Sequence, residues 1–445
     1  MLNDRSVSAP LRRSVRSAWE VSARTFASMR RSHGPFVPAV FVAVISLASC
    51  LHQGGNASSA DGDKRFALIQ QSEMLDTLAR EPMLIQHPNG AVFVTGWNRV
   101  RPRLWKSTDL GATWSEVNVG MAGDGAVGNS DLDLAVAPDG TLYFVQLTFD
   151  PRALEGVQLA VGVSRDAGST WRWSTVSRAR GDDRPWIRVS PNGTVHLIWN
   201  DGTGVLHTLS RDRGVTWTPP SHIHNRGGSS HLAVGPHGEL AVHIIPGARA
   251  GSVCDEGTDV LALSTDDGAT WRTFPAAGGA RPSGCLNHPR ETPRWVDPVA
   301  FDRAGALYSL WTDSSGVWIS RLGGDTNTWT TWRVSSRAAG APLPFFPYLA
   351  SSATGELAAT WLLDTPDTLH WEAAHLMVPG KKGNPKVRVA IPLALESWRG
   401  NDPDAGGEYL AAMFLNDGSL AVVVPIQNEA KKRTGFGWRR FVERR

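Results

Sequence analysis

The sequence predicts an all-β fold, a β-propeller of four-stranded antiparallel blades, on three observations. One frame, S-x-D-x-G-x-T-W, is written four times, as STDLGATW at 107–114, SRDAGSTW at 164–171, SRDRGVTW at 210–217 and STDDGATW at 264–271. Its aspartates, Asp109, Asp166, Asp212 and Asp266, are 57, 46 and 54 residues apart, the period of stacked supersecondary units. Before each octapeptide stands an apolar stretch, a short glycine turn and a second apolar stretch, as in LDLAVAPDGTLYFVQL and RPWIRVSPNGTVHLIW. Apolar alternation on both sides of such a turn predicts an antiparallel hairpin. Finally, 45 Gly, 28 Pro and 19 Trp in 445 residues describe a turn-rich globular chain, long enough to need a modular core.

Taken in order, the hairpins turn at Gly90, Gly140, Gly193, Gly238, Gly305, Gly355 and Gly418. Each of these hairpins, with the octapeptide hairpin that follows it in the same unit, makes four strands, and sheets of four stack radially into a ring. The fifth unit carries a degenerate octapeptide, SRLGGDTNTW at 320–329, and the last two units carry none. Seven hairpin starts favour seven blades over six with a terminal hairpin. The last unit offers strands near Tyr409, Val422 and Trp438 and then ends, one strand short. KRFALIQQ at 64–71 can supply that strand and close the ring, which removes exposed edges. Within each octapeptide the tasks are structural. Asp accepts N–H groups of its own turn, Gly takes a left-handed conformation, and Trp packs between sheets.

The front of the chain divides off. MRRSHGPFVPAVFVAVISLASC at 29–50 has two arginines, an apolar run over 36–47 and small residues before Cys50, the pattern of an export signal. The run is short for a membrane span. LASC at 47–50 resembles the lipobox of bacterial lipoproteins, which implies residues 1–49 as signal peptide and a lipid on Cys50. The start codon stays open between Met1 and Met29. Residues 50–64 then form the lipidated cysteine and a Gly, Ser and Ala-rich flexible tether, and 65–445 the propeller. Leu51 after the cysteine is, by the same resemblance, compatible with the outer membrane. Residues 1–50 hold seven Arg and two acidic groups, so 38 basic and 40 acidic side chains remain beyond them. That balance gives no sign of a nucleic-acid partner. Cys254 and Cys285 flank the fourth octapeptide, and an oxidising compartment favours a disulfide between them over two free thiols. No Cys or His spacing suggests a metal, and no cofactor is expected; His222 and His224 lack a third ligand.

The four octapeptides resemble the Asp box, or BNR repeat, of the sialidase superfamily. In that family the boxes lie on outer turns, so the resemblance makes their aspartates blade fasteners. In a propeller the innermost strands converge on the axis, so the residues that enter them crowd one rim, the expected ligand site. Counting back nine residues from each hairpin glycine gives Glu81, Asp131, Arg184, Ser229, Val296, Phe346 and Tyr409, and ten gives Arg80, Ser130, Asp183, Gly228, Trp295, Phe345 and Glu408. Charge and aromatic rings crowd this rim. Arg80 and Pro82 match the family's R-I-P motif, with Glu81 in place of Ile. The resemblance implies three arginines on a substrate carboxylate, drawn from Arg80, Arg184 and either Arg290 or Arg294. It also implies a Tyr nucleophile activated by Glu, here Tyr409 and Glu81, with Asp131 or Asp183 as general acid. The family's acid stands in the first blade's loops, where NRVRPRLW at 98–105 offers none.

Three functions compete at this level. One is an envelope-anchored sialidase-like hydrolase that releases a terminal acidic sugar from a glycan with retention. Another is a silent propeller that binds glycan or protein ligands on the same rim, with Trp186 and Trp295 as stacking faces. The third is an envelope scaffold. The first needs arginines, Tyr409 and a carboxylate in one pocket, the second only a groove and aromatics.

Overall fold

The computed structural model describes residues 65–76, 80–98, 100–245, 259–278, 298–324, 328–364, 369–376, 397–398, 411–428 and 433–444. These residues form antiparallel sheets, each a blade of a propeller. Six blades use strands consecutive in the chain. The first three begin with Arg80–Gln86, Leu132–Val136 and Asp183–Val189 as their inner strands. The fourth has its inner strand broken into Gly228–Ser229 and Ala233–Val234, both paired to Leu240–Ile245. The fifth and sixth begin with Val299–Phe301 and Pro344–Ser351.

One further sheet is composite. Ala412–Phe414, Leu420–Asn428 and Arg433–Arg444 pair in order, and Arg65–Asp76 from the front of the chain adds the outermost strand. The expected closing strand is therefore present, longer than KRFALIQQ alone. This sheet packs between the sixth blade and the first. Trp105 meets Phe436 edge-on at 5.6 Å, and the Asn416 N–H donates to Gln86 Oε1 at 2.7 Å. Sheets with both faces apolar need a neighbour on each side, and closure supplies one to every blade.

The register fixes two ends of the ring. Each hairpin glycine sits at one end with positive φ, between 80° and 93° at all of Gly90, Gly140, Gly193, Gly238, Gly305, Gly355 and Gly418. The octapeptide turns lie at this same hairpin face, since Ser107 pairs with Val92 beside the Gly90 turn. The opposite face carries the inner-strand entrances, where Arg80 pairs with Trp97 and Asp183 with Asn200.

All four octapeptides close identically. In the first, Thr113 donates its N–H to Asp109 Oδ1 at 2.9 Å and its hydroxyl to Oδ2 at 2.6 Å. Ser107 donates to the same carboxylate at 2.7 Å and accepts the Gly111 N–H at 2.8 Å. These donors, Thr113 foremost, hold Asp109 down at about 2, and Asp212 and Asp266 likewise. Each turn glycine leans on the preceding blade: a Cβ on Gly111 would meet Trp438, on Gly168 Phe93, on Gly214 Val163 and Tyr143, and on Gly268 His207. The residue before each glycine, Leu110, Ala167, Arg213 or Asp267, is also left-handed.

Candidate functional site

The rim at the entrance face is built from three successive inner strands. In the first blade Arg80 lies 5.0 Å from the centroid of the Trp97 ring, and the Trp97 indole N–H donates to Glu81 Oε2 at 2.8 Å. Both Arg80 and Glu81 are buried. In the second blade the Ser130 hydroxyl donates to Asp131 at 3.0 Å. In the third, the Arg184 guanidinium stands 3.9 Å from Asp183, and Asp183 is partly accessible. Glu81 and Arg184 occupy equivalent positions and are both left-handed, with φ of 52° and 51°. Each precedes a proline, Pro82 or Pro185, and the ladder shifts register at both. Left-handed backbone at a branched-free polar residue costs about 1–3 kcal/mol and collects where side chains are aimed at ligands.

Below the rim the channel is crossed by side chains that the count at nine and ten residues misses. Counting back seven from the hairpin glycines gives Met83, Asp133, Trp186, His231, Pro298, Tyr348 and Ala411. Trp186 packs on His231 with ring centroids 4.0 Å apart, and His231 meets Tyr348 edge-on at 5.0 Å. These rings come from the third, fourth and sixth blades, so the stack joins blades that are not neighbours in the ring. Trp186 is 1% exposed. The expectation that it offers a stacking face to a sugar is therefore corrected: His231 covers its ring.

Asp133 is fully buried and accepts the Ile187 N–H at 2.9 Å, the Leu134 N–H at 2.8 Å and the Arg188 guanidinium. Burial pushes its carboxyl up, while Arg188 and the two N–H groups pull it back. Arg188 Nη1 also donates to the Ile187 carbonyl. Among the described residues its Nε and Nη2 make no hydrogen bond, and 23% of its side chain stays accessible. Burial holds the His231 imidazole well below its ordinary range, and Arg188 and Arg184 add to that effect. Burial likewise pushes the Tyr348 phenol up to about 12, with Arg188 opposing and Asp133 adding. The channel floor is thus a neutral His and Tyr beside guanidinium groups.

On the opposite face a separate cavity of about 840 Å³ opens among the hairpin turns, lined by Pro88, Pro138, Pro191, Pro236, Val189 and Phe301 among others. Of the other expected residues, Tyr409, Arg290, Arg294, Trp295, Cys50, Cys254 and Cys285 lie outside the described residues. His222 bonds Asp201 at 2.9 Å on the surface. Among the described residues no group of three or more His, Cys, Asp or Glu is placed to hold a metal ion.

No family model matches the chain, and no curated protein matches it. Solved structures are similar at the level of the fold. An α-L-arabinanase of Penicillium chrysogenum, bound to arabinobiose, is 14% identical over 84% of this chain and 98% of its own, with a TM-score of 0.47. A virginiamycin B lyase of Staphylococcus aureus is 13% identical over 84% and 99%, with a TM-score of 0.48. A protein of unknown function from Dyadobacter fermentans is 15% identical over 85% and 98%, at 0.49. Likeness at this level assigns no activity to this chain.

Proposed function

We propose that this propeller binds a terminal acidic sugar of a glycan at the entrance face of its channel. The observation that carries the reading is Arg188. One corner of its guanidinium is pinned by Asp133 and the Ile187 carbonyl, 23% of the side chain stays accessible, and its charge is felt by His231 and Tyr348. A guanidinium oriented in this way matches a carboxylate in a two-point contact. Arg184 stands close enough to act on the same His231, so the anion would meet more than one cation. The Trp186, His231 and Tyr348 rings lie against one another below the rim, an obstruction that would suit a chain end rather than the middle of a polymer.

The finer form of the proposal is hydrolysis with retention, with Tyr409 as nucleophile, Glu81 as its base, and Asp131 or Asp183 as acid. The indole bond already made by Glu81 favours the alternative in which the site binds and does not cleave. The proposal also keeps the protein in the bacterial envelope, anchored through Cys50. Turnover of a fluorogenic sialoside by the purified chain, beside Tyr409→Phe and Arg188→Gln, decides among these. Turnover abolished by both substitutions supports the hydrolase. Retained binding of a sialylated oligosaccharide without turnover supports the silent form. If neither occurs, and a neutral oligosaccharide binds as well as an acidic one, the reading fails.

A further inference from the structure

We infer that the cavity at the hairpin end of the ring is a binding site for an uncharged aromatic small molecule, separate from the rim. Its wall follows from one position of the hairpin turns. Two residues before the turn glycine, the first four blades carry Pro88, Pro138, Pro191 and Pro236, and the fifth and sixth carry Arg303 and Ala353. All six line the cavity. Each proline has an ordinary local reason, since it takes the second position of a four-residue turn, closed in the first blade by the Gly90 N–H on the His87 carbonyl at 2.9 Å. Set around one axis, the four pyrrolidine rings become a single apolar surface, continued by Phe301. The volume of about 840 Å³ falls in the range of small-molecule sites.

Few polar groups stand in this wall, and most of them close their own turns. Only Asp302, Arg303, Ser351 and Ser352 of the lining have polar side chains. Asp302 Oδ1 accepts the Ala304 and Ala306 N–H groups at 2.8 and 2.9 Å, and its Oδ2 accepts the Tyr308 hydroxyl at 3.3 Å. Ser352 accepts the Glu356 N–H at 2.9 Å. Arg303 differs. It is exposed, and among the described residues its guanidinium makes no hydrogen bond or ion pair.

Charge then selects the class of ligand. A cation would meet the Arg303 guanidinium with no free counter-ion at the wall. An anion would enter a face where Asp109, Asp166, Asp212 and Asp266 are held ionised by their own turns and where Glu239 stands beside the Gly305 turn. The octapeptide turns join the third and fourth strands, so they lie about 10 Å outside the inner hairpins. That is about one Debye length, and carboxylates of one sign act together across it. A neutral aromatic ring meets neither opposition. Guanidinium groups stack on aromatic faces, and the negative face of the ring suits the C–H groups of proline.

Three compounds with one ring system provide the test: 2-naphthol, 2-naphthoate and 2-naphthylmethylammonium, titrated calorimetrically into the purified full-length chain. One equivalent of the neutral compound is expected to bind several-fold more tightly than either ion, and Arg303→Gln to weaken it about two- to fivefold. Tighter binding of the carboxylate or the ammonium, or no binding of naphthol, overturns the ligand class, and full affinity in Arg303→Gln overturns the role of the guanidinium. Alkylation by a maleimide then locates the site. A thiol introduced by Ala353→Cys should be shielded by saturating naphthol, and one introduced by Val215→Cys, 65% exposed on the third octapeptide turn, should not. The unsubstituted chain gives the background from its own cysteines. Alkylation at 353 that naphthol leaves unchanged overturns the site even where naphthol binds elsewhere on the protein. Binding of a sugar at the rim enters none of these readouts.

Discussion

Removing the Asp133 carboxylate is the substitution whose cost the structure defines best. The side chain is 1% exposed, and it satisfies the Ile187 N–H at the free inner edge of the third blade as well as Arg188. In Asp133→Ala two buried donors, the Ile187 and Leu134 N–H groups, lose their partner, each at about 1–3 kcal/mol if left unsatisfied, and a largely buried guanidinium loses its counter-ion. Breaking a buried ion pair from one side costs about 3–5 kcal/mol, and the two effects overlap because they share one carboxylate. The expected loss is therefore about 3–5 kcal/mol. Asp133→Asn keeps an acceptor for Ile187 and should lose roughly half as much. Replacing the pair together, Asp133→Leu with Arg188→Met, should restore much of the loss, since well-packed apolar residues often replace a buried ion pair at little cost. The assay is a double-mutant cycle by urea denaturation, with calorimetry checking that one transition is observed. A single-mutant loss under about 1 kcal/mol, or a double mutant as unstable as the summed singles, would refute the assignment.

Other consequences follow from the same packing. His196 and His207 are buried, with His196 Nδ1 and His207 Nε2 3.1 Å apart, and burial lowers them to about 4 and about 3. Their folded values lie below the unfolded one, so the stability they allow is complete above pH 6.5 and falls as pH drops toward 4. The loss between pH 7 and pH 5 is about 2 kcal/mol for each histidine, and a His207→Gln chain should show a shallower pH slope than the parent; equal slopes would contradict this. A Cβ on Gly156 would lie 1.8 Å from the Asp182 carbonyl oxygen, whereas one on Gly193 would meet nothing within 4 Å. Gly156→Ala should then cost more than about 2 kcal/mol and Gly193→Ala only about 1 kcal/mol of left-handed strain, an order that thermal denaturation reads directly. Arg184→Gly relieves its φ of 51° and should stabilise the ring by up to about 1 kcal/mol while weakening an acidic ligand. Weakened stability together with unchanged binding would place the strain elsewhere.

The turns were the legible part of this chain because local backbone geometry selects their residues. Every hairpin glycine that the sequence marks has positive φ, and the Ser, Asp and Thr of the octapeptides bond as their spacing predicts. Less was legible at the residue before each octapeptide glycine. Leu110, Ala167 and Arg213 carry no mark of the left-handed conformation they adopt. At the site, counting from the glycines located the rim but not what lies across the channel. Trp186 reads as a rim aromatic, yet His231 covers it from the next blade and Tyr348 reaches in from the sixth. Those contacts join different blades, so no local pattern announces them. The same count, taken two residues deeper, would have drawn attention to Asp133, His231 and Tyr348 as polar groups where apolar ones pack most easily.

The most direct test of the account is an equilibrium titration of the protein with a sialylated oligosaccharide and with its desialylated counterpart, repeated with Arg188→Gln. The account predicts that the acidic ligand alone binds and that the substitution weakens it by at least tenfold, about 1.4 kcal/mol. Equal binding of both sugars, or full affinity without the guanidinium, would contradict it.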